Sequence, residues 1–463
     1  MSAAQVLTAA QMRKAEQLLF DAGTSVTELM EIAAGGAAEW IRRVAAGRSV
    51  TVLCGPGNNG GDGYVIARIL REAGNAVKVI APVPPATDAA KEARRRWNGA
   101  VAGAGNGAQG DVFVDCLFGS GLARPLTAEH ALLLRDLAAR HCYRVAVDVP
   151  SGIASDSGAV LNERLPRYDL TLALGAWKFA HWCLPGRALM GQMRLVPIGI
   201  AAVEGAAQLI GRPRLAAPAA DSHKYRRGLA AIIAGPMPGA SLLSAAAAQH
   251  AGAGYVKLLT READPRTPAD IVTDTAPLAE SLADDRIAAV LAGPGLGRDE
   301  AAKAMLAEAL KQARALVLDA DALVMLTPDM LGRDMPMLAT PHDGELETLC
   351  RNFSVIAEGR RARALALAKV SGMVVLAKGP DSIIAAPDGR VALAPPSPSW
   401  LSVAGTGDVL AGIAVSRMAA GADPFTAACE AVWLHGEAAR RAGAAFTPSQ
   451  LAERVQEALA AAL

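Results

Sequence analysis

Apolar residues along this chain fall into two kinds of run, and their alternation sets the fold class. Met12, Ala15, Leu18 and Leu19 recur at helical spacing, which predicts a first helix. Ser25 followed by Glu28 has the form of a capping box and predicts a second helix through Leu29, Ile32 and Ala33. From there, short β-branched or apolar runs alternate with helix-like stretches: VTVLC (50–54), AVKVIAP (76–82), VFVDC (112–116), RVAVDV (144–149) and LTLALG (170–175). Strands that alternate with helices form a parallel sheet covered on both faces, because each crossover lays a helix against the sheet. The predicted class is α/β.

The rhythm breaks between about 201 and 222, where AAVEGAAQLIGRPRLAAPAADS is rich in Ala, Gly and Pro and only weakly patterned. A second series follows: GLAAIIAG (228–235), YVKLLT (255–260), AAVLAG (288–293), ALVLDA (315–320), MLATP (337–341) and MVVLAKG (373–379). A chain of 463 residues suits two or three domains. The pattern predicts one domain over 1–205, a linker over 206–222 and a second α/β domain over 223–463. Gly-Pro-Gly recurs at 55–57 and 293–295, but the flanking residues do not align.

Net charge is +1, so nothing electrostatic favours nucleic acid or a membrane surface as partner. No apolar run reaches the ~18 residues a membrane span needs, and the charged start (Arg13, Lys14, Glu16, Asp21) is unlike a signal peptide. Six scattered cysteines form no C-x-x-C pair and no zinc spacing. They read as buried thiols in a reducing cytoplasm.

The candidate chemistry begins at LCGPGNNGGDGYV (53–65), where Gly55, Gly57 and Gly60 fit G-x-G-x-x-G between a strand and a helix. Backbone N–H groups and a helix N-terminus there favour an anion. A dinucleotide fingerprint also wants an acid about 20 positions on; the next strand ends in Ala81-Pro82 instead. That departure argues against an NAD-dependent dehydrogenase. Asn58-Asn59-Gly60-Gly61-Asp62-Gly63 could be a tight turn needing positive φ, or a ligand loop. Two further segments favour the ligand loop. VDCLFGSGLARP (114–125) ends a strand at Asp115, and VDVPSGI (147–153) ends another at Asp148. Parallel sheets gather ligands at the carboxyl ends of their strands. Asn59, Asp115, Asp148 and Ser151 would then supply oxygen ligands and one acid/base.

Three features stand out in the second half. AGTGDVLAG (404–412) sets small residues before a helix that carries Asp408 at its start. Successive N–H groups there make an anion nest, and Asp408 can deprotonate a nearby hydroxyl. AKGPDSII (377–384) puts Lys378 at a strand end, and TPHDGE (340–345) puts His342 between strand and helix. No G-x-x-x-x-G-K-[ST] occurs, which argues against a P-loop nucleotidase.

With NNGGDG, VDCLFGSGL and VDVPSGI in that order, residues 1 to about 205 resemble the NAD(P)HX epimerase (YjeF N-terminal) domain, a Rossmann-like three-layer α/β/α sandwich. LGAWKFAH (174–181) is a looser match to that family's closing strand and loop. The resemblance implies that Asn59, Asp115 and Ser151 hold a potassium ion. It sets substrate against Asn58, Asn59, Gly60, Gly61 and Asp62, against Gly119, Ser120, Gly121, Leu122, Ala123, Arg124 and Pro125, and at Asp148. Asp148 is the candidate acid/base. Residues from about 220 carry GPMPGAS, AGAGYV, AGPGLG, LDADAL, TPHDGE, AKGPDS and AGTGD in order. They resemble the ADP/ATP-dependent NAD(P)HX dehydratase, a ribokinase-like α/β/α domain. That resemblance implies substrate contacts at Ala253, Gly295, Gly297, His342 and Asp408. It sets the adenine nucleotide, with Mg2+, at Lys378, Gly379, Pro380, Asp381, Ser382 and Gly407.

The implied substrates are NADHX and NADPHX, hydrated on the nicotinamide ring. The first domain would interconvert R and S forms. The second would phosphorylate the ring hydroxyl of the S form, with Asp408 as base, and expel it as phosphate. ADP is the expected donor over ATP, and a cytoplasmic homo-oligomer is the expected setting. The residues alone leave two rivals open: a ribokinase-like small-molecule kinase in the second half, and a non-catalytic nucleotide-binding module in the first.

Overall fold

A computed structural model of the chain describes residues 4–104, 107–332 and 334–463, which divide into two compact units, Met1–Gln208 and Leu209–Leu463. The N-terminal unit runs β1 (Gln5–Leu7), α1 (Ala9–Asp21), α2 (Val26–Ala45), β2 (Val50–Cys54), α3 (Asn58–Glu72), β3 (Val77–Ile80) and α4 (Asp88–Trp97). It continues through β4 (Val101–Ala102), β5 (Gly110–Cys116), α5 (Ala128–Ala139), β6 (His141–Val147), β7 (Leu170–Leu174), β8 (Trp177–Lys178), β9 (Gln192–Val196) and β10 (Ala207–Leu209).

Its main sheet has the order β4-β3-β2-β5-β6-β7-β9, parallel throughout. The first strand of the series therefore lies third, and the order reverses between β2 and β5. Open α/β sheets bind ligands at such a switch point, beyond the carboxyl ends of the strands. Side chains alternate across the sheet as the two-residue period requires. Val50, Val52 and Cys54 pack with α2, α3 and α4, while Leu53 packs with Phe113 and α5. The Ser25–Glu28 capping box is formed and opens α2. α1 buries Met12 and Ala15, but Leu18 is 62% exposed, so the buried stripe is narrower than its apolar spacing suggests.

The Asn58–Gly63 block is not a turn of positive φ; it is the first turn of α3. Its glycines serve close approach instead. A Cβ at Gly60 would lie 1.8 Å from the Gly55 carbonyl oxygen, and one at Gly63 would lie 2.8 Å from Cys54 Sγ. Only glycine lets the helix tip sit this tightly over the strand ends.

The C-terminal unit runs β11 (Leu229–Ile233), α6 (Pro238–His250), β12 (Tyr255–Leu259), β13 (Val272–Asp274), α7 (Leu278–Leu282), β14 (Ile287–Ala292), α8 (Glu300–Gln312), β15 (Leu316–Leu318) and α9 (Ala320–Met325). Then come β16 (Met337–Ala339), α10 (Asp343–Asn352), α11 (Arg360–Ser371), β17 (Val374–Ala377), β18 (Ile383–Ala385), β19 (Val391–Leu393), α12 (Thr406–Ala419), α13 (Pro424–Ala442) and α14 (Pro448–Ala462). Strands β13-β12-β11-β14-β15-β16-β17 are parallel in that order, and β18 and β19 extend the sheet antiparallel. Ala230 and Ile232 face α6, α12, α13 and α14; Leu229, Ala231 and Ile233 face the helices of the other layer. No helix among the described residues is long and apolar enough to cross a membrane.

Candidate active sites

In the N-terminal unit, the tips of β2, β5 and β6 converge. Asp115, buried at the end of β5, accepts four hydrogen bonds. Oδ1 takes the Leu117 N–H at 3.1 Å and the Ser151 hydroxyl at 2.8 Å; Oδ2 takes the Ser151 N–H at 3.0 Å and the Tyr168 hydroxyl at 2.5 Å. Burial pushes this carboxyl up despite those bonds. The Ser151 hydroxyl also accepts from the Phe118 N–H at 2.9 Å, which fixes the start of the Gly119 loop.

Asp148 follows β6 with φ at 65°, the left-handed region that a non-glycine residue rarely adopts. Its surroundings hold it there. The Asp148 carbonyl accepts from His181 Nε2 at 2.8 Å, Oδ1 from Lys178 Nζ at 2.6 Å, and Oδ2 from the Ser120 N–H at 2.8 Å. Lys178 also donates to the Leu174 carbonyl at 2.6 Å. Burial works to raise the Asp148 carboxyl, but Lys178, His181 and the Ser120 N–H together outweigh it, and the group stays below its usual range. His181 Nδ1 accepts from the Lys178 N–H at 2.8 Å, so the ring is a neutral Nε2–H tautomer. Burial and the Lys178 charge push it down to about 4.

Asn59 lies beside this pair. A Cβ at Gly119 would sit 3.0 Å from Asp148 Oδ2 and 3.1 Å from Asn59 Cγ. Both amide atoms of Asn59 are buried without a hydrogen-bond partner among the described residues. Asp62 is buried too, and burial together with the Asp148 and Glu16 charges pushes it well up. The structure thus brings together Asn59, Asp62, Asp115, Gly119, Ser120, Asp148 and Ser151. Gly60 and Gly61 pack inside this tip, and Asn58 lies at its exposed rim, its Oδ1 taken by the Thr87 hydroxyl at 2.7 Å. Leu122 is half-buried, with its N–H on the Gly119 carbonyl at 3.2 Å; Gly121, Ala123, Arg124 and Pro125 are exposed. Sequence reasoning gave no role to Lys178, Tyr168, His181 or Glu16. One signal was available for Lys178: a lysine inside the apolar run Leu174–Ala180.

In the C-terminal unit the cluster gathers after β14, β15, β16 and β17. Asp319, buried just past β15, accepts from the Thr340 hydroxyl at 2.8 Å and from Lys378 Nζ at 2.5 Å. Lys378 Nζ also lies 3.8 Å from Glu345. Burial alone would lower the Lys378 ammonium, but the Asp319 and Glu345 carboxylates raise it. His342 caps α10: its Nδ1 accepts from the Gly344 and Glu345 N–H groups at 3.0 and 3.3 Å, and Glu345 Oε2 accepts from the His342 N–H at 2.8 Å. The ring is 61% exposed, at the rim.

Gly405 caps α12, with Thr406 and Gly407 in its first turn. Gly405 has φ at 98°, and a Cβ at Gly407 would lie 3.5 Å from Lys378 Nζ. Asp408 is half-buried in the first turn, where burial and then the Asp319 charge push it up to about 6. His435 Nε2 donates to the Thr406 carbonyl at 3.0 Å and braces the nest from α13; burial holds this ring down at about 4. Gly295 and Gly297 take φ of 67° and 81°, and the Gly297 N–H donates to Asp321 at 3.0 Å. Lys378 to Ser382 forms a tight turn, the Gly379 N–H donating to the Ser382 hydroxyl at 3.1 Å. Arg360 lies against it, paired with Asp343 at 2.6 Å and with Asp381. Pro380 sits within that turn. Ala253 is elsewhere: it is buried ahead of the first residue of β12, at the opposite end of the sheet. Asp319, Asp321, Arg360 and His435 had no role assigned from sequence.

Two family models match separate stretches of the chain. The model for NAD(P)H-hydrate dehydratase matches residues 230–461, and that for the YjeF-related protein N-terminus matches residues 26–180. Proteins named bifunctional NAD(P)H-hydrate repair enzyme are similar over nearly the whole length. The one from Thermosynechococcus vestitus is 33% identical, covering 94% of this chain and 93% of its own. That from Salinibacter ruber is 34% identical, covering 96% and 93%. Among solved structures, the ADP/ATP-dependent NAD(P)H-hydrate dehydratase of Bacillus subtilis, co-crystallized with ATP/Mg2+, is 26% identical over 54% of this chain and 95% of its own, with a TM-score of 0.47. With relatives of one third identity matched end to end, this chain belongs to the bifunctional NAD(P)H-hydrate repair enzymes, which join an epimerase to a dehydratase.

Proposed function

We propose that the two clusters divide the repair between them. The tips of β2, β5 and β6 interconvert R- and S-NAD(P)HX. The cluster after β14 to β17, with the α12 nest, dehydrates the S form to NAD(P)H, converting ADP to AMP and phosphate. The observation that carries this reading is the meeting of Lys378, Asp319 and Asp408 at the glycine nest. There Asp408 is pushed up to about 6, a value suited to a general base near neutrality.

Hydroxide is a poor leaving group, and phosphate is a good one. Asp408 takes the proton of the ring hydroxyl as its oxygen attacks the terminal phosphorus of the nucleotide. The Gly405–Gly407 N–H groups and Lys378 stabilise the charge on the transferring phosphoryl. Gly379, Pro380, Asp381 and Ser382 line the nucleotide; Gly295, Gly297 and His342 line the hydrated coenzyme. Mg2+ would sit between the nucleotide phosphates and the Asp319 carboxylate, since that ion takes one or two carboxylates plus substrate phosphates. It would neutralise phosphate charge.

Potassium fits the first cluster. Asn59 offers a buried amide oxygen without a partner, and Asp115 and the Ser151 hydroxyl are oxygen donors at the neighbouring strand tips. Such a set suits a hard cation. It would supply charge that organises the loops around substrate. Asp148, with both carboxylate oxygens engaged, supplies a fixed negative charge there.

The test gives the full chain R- or S-NADHX, with ADP or ATP in turn, in potassium and in lithium buffers. Recovery of NADH from S with ADP, and from R only when potassium is present, is the expected result. Release of a stable phosphoester without NADH would make the C-terminal unit a kinase.

A further inference from the structure

α1 reaches the epimerase cluster from a part of the chain that none of the glycine motifs marks. β1 pairs with β8 so that Leu7 lies against Lys178, and α1 starts two residues later at Ala9. A Cβ at Gly175 would lie 2.5 Å from Met12 Cε. Gly175 follows Leu174, whose carbonyl accepts from the same Lys178 that holds Asp148. Glu16 lies four residues after Met12, on the same face of the helix. It is half-buried and, among the described residues, makes no hydrogen bond or ion pair. The charges that face it are Lys178, Asp148 and Asp62, with Arg13 on its own helix. A half-buried carboxyl with no partner among the described residues, on a helix packed at Gly175 and within the field of Lys178 and Asp148, can take a ligand's proton.

The chemistry calls for such a group. The carbon that carries the hydroxyl is bonded to the ring nitrogen, so it is a hemiaminal. Inversion needs the hydroxyl proton removed, the carbon–nitrogen bond broken with its electron pair passing to nitrogen, and that nitrogen protonated. The resulting aldehyde turns its other face and the ring closes by the reverse steps. One carboxylate can do both transfers, taking the proton from oxygen and delivering it to nitrogen. No proton, electron or atom is gained or lost. Asp148 is a weaker base for this, because Lys178 and the Ser120 N–H bind its two oxygens and help hold the carboxyl below its usual range.

We propose that Glu16 is a catalytic residue of the epimerase, the carboxylate that carries the proton between the ring hydroxyl and the ring nitrogen. This rests on the placement of the epimerase site at the tips of β2, β5 and β6. Burial raises the Glu16 carboxyl and the nearby Lys178 charge opposes that rise, which suits a group that both takes and gives a proton.

The experiment uses the full chain without nucleotide, so that dehydration is silent, and follows R-NADHX toward the epimer mixture by chromatography. Glu16→Gln is expected to slow kcat by about 100-fold or more with KM little changed. Glu16→Asp, which keeps the carboxyl, should recover part of the rate. The N-terminal urea transition of the same preparations reports whether that unit is folded, and dehydration of S-NADHX with ADP reports the same for the C-terminal unit. Equilibration by Glu16→Gln within twofold of the unsubstituted chain would overturn the proposal. So would equal loss in both variants, or a change confined to KM, since either would mean packing or binding. Failure of the unsubstituted chain to interconvert the epimers would instead sink the placement of the epimerase site, and Glu16 with it.

Discussion

The two units solve similar problems with the same parts in different arrangements. Each sheet places its first strand third and reverses order beside it. Each site holds a lysine–aspartate pair, Lys178–Asp148 at 2.6 Å and Lys378–Asp319 at 2.5 Å. Each braces a loop with a neutral histidine that donates to a backbone carbonyl, Asp148 or Thr406. The difference lies in what the lysine has left to give. The Lys178 side chain is 1% exposed, and its known partners are the Asp148 carboxylate and the Leu174 carbonyl. Lys378 is 15% exposed, shared with Glu345, and borders the Gly407 nest. A closed pair keeps its carboxylate ionised and its charge compensated. An open pair offers its charge to a phosphate and leaves a second carboxyl, Asp408, to compete for a proton.

The sharpest break of that comparison is Asp408→Asn. It should cut dehydration of S-NADHX by about three orders of magnitude while nucleotide binding, read by calorimetry, changes little. Epimerisation by the same chain should be untouched; retained dehydration would remove Asp408 from the base's role. The next effect is on stability. Lys178→Met strands a buried carboxylate and should cost the N-terminal unit about 3–5 kcal/mol, seen as an earlier urea transition. Adding Asp148→Asn should return much of that, because the uncompensated charge goes with it. If the second substitution only adds to the loss, the pair is not closed on itself.

Much of this architecture could be read from the residues, and for definite reasons. VTVLC, VFVDC and RVAVDV are mostly apolar because the inner parts of their strands are covered on both faces. The glycine motifs were legible because backbone atoms approach there within contact distance, as at Gly60 and Gly412. β1, β8, β18 and β19 have two or three residues each and carry no period to detect. Lys178, Tyr168, His181 and Glu16 are common residue types that only the fold brings to Asp148 and Asp115. The Asn58–Gly63 block stood out in the sequence, while its helical backbone was not legible there. Its glycines answer to packing rather than to φ, and the two demands look alike in a sequence.

A smaller effect separates the two carboxylates by pH. Asp408 is pushed up to about 6 and acts as a base only when ionised. Dehydration should therefore hold steady from pH 8 to 7 and fall roughly tenfold per unit below 6. Asp148, held below its usual carboxylate range, stays ionised through the same window. Measuring kcat for S-NADHX between about pH 5 and 8 checks this. A rate unchanged at pH 5 would mean that Asp408 is not the group whose proton matters.

The smallest effect concerns the histidines, and it should be equal in the two units. His181 and His435 are both held down at about 4 by burial, against an ordinary value of 6.5. Between those values the unfolded chain binds a proton that the native chain does not, so stability is full above pH 6.5 and declines as the pH falls toward 4. At pH 5 each ring should cost its own unit about 2 kcal/mol. Glutamine in place of either ring can keep an amide donor for the carbonyl but has no charge to gain. His181→Gln should therefore flatten the pH dependence of the N-terminal urea transition alone, and His435→Gln that of the C-terminal transition alone. If both transitions shift in either variant, the acid sensitivity lies in groups other than these two rings, and the likeness between the sites ends at their lysine–aspartate pairs.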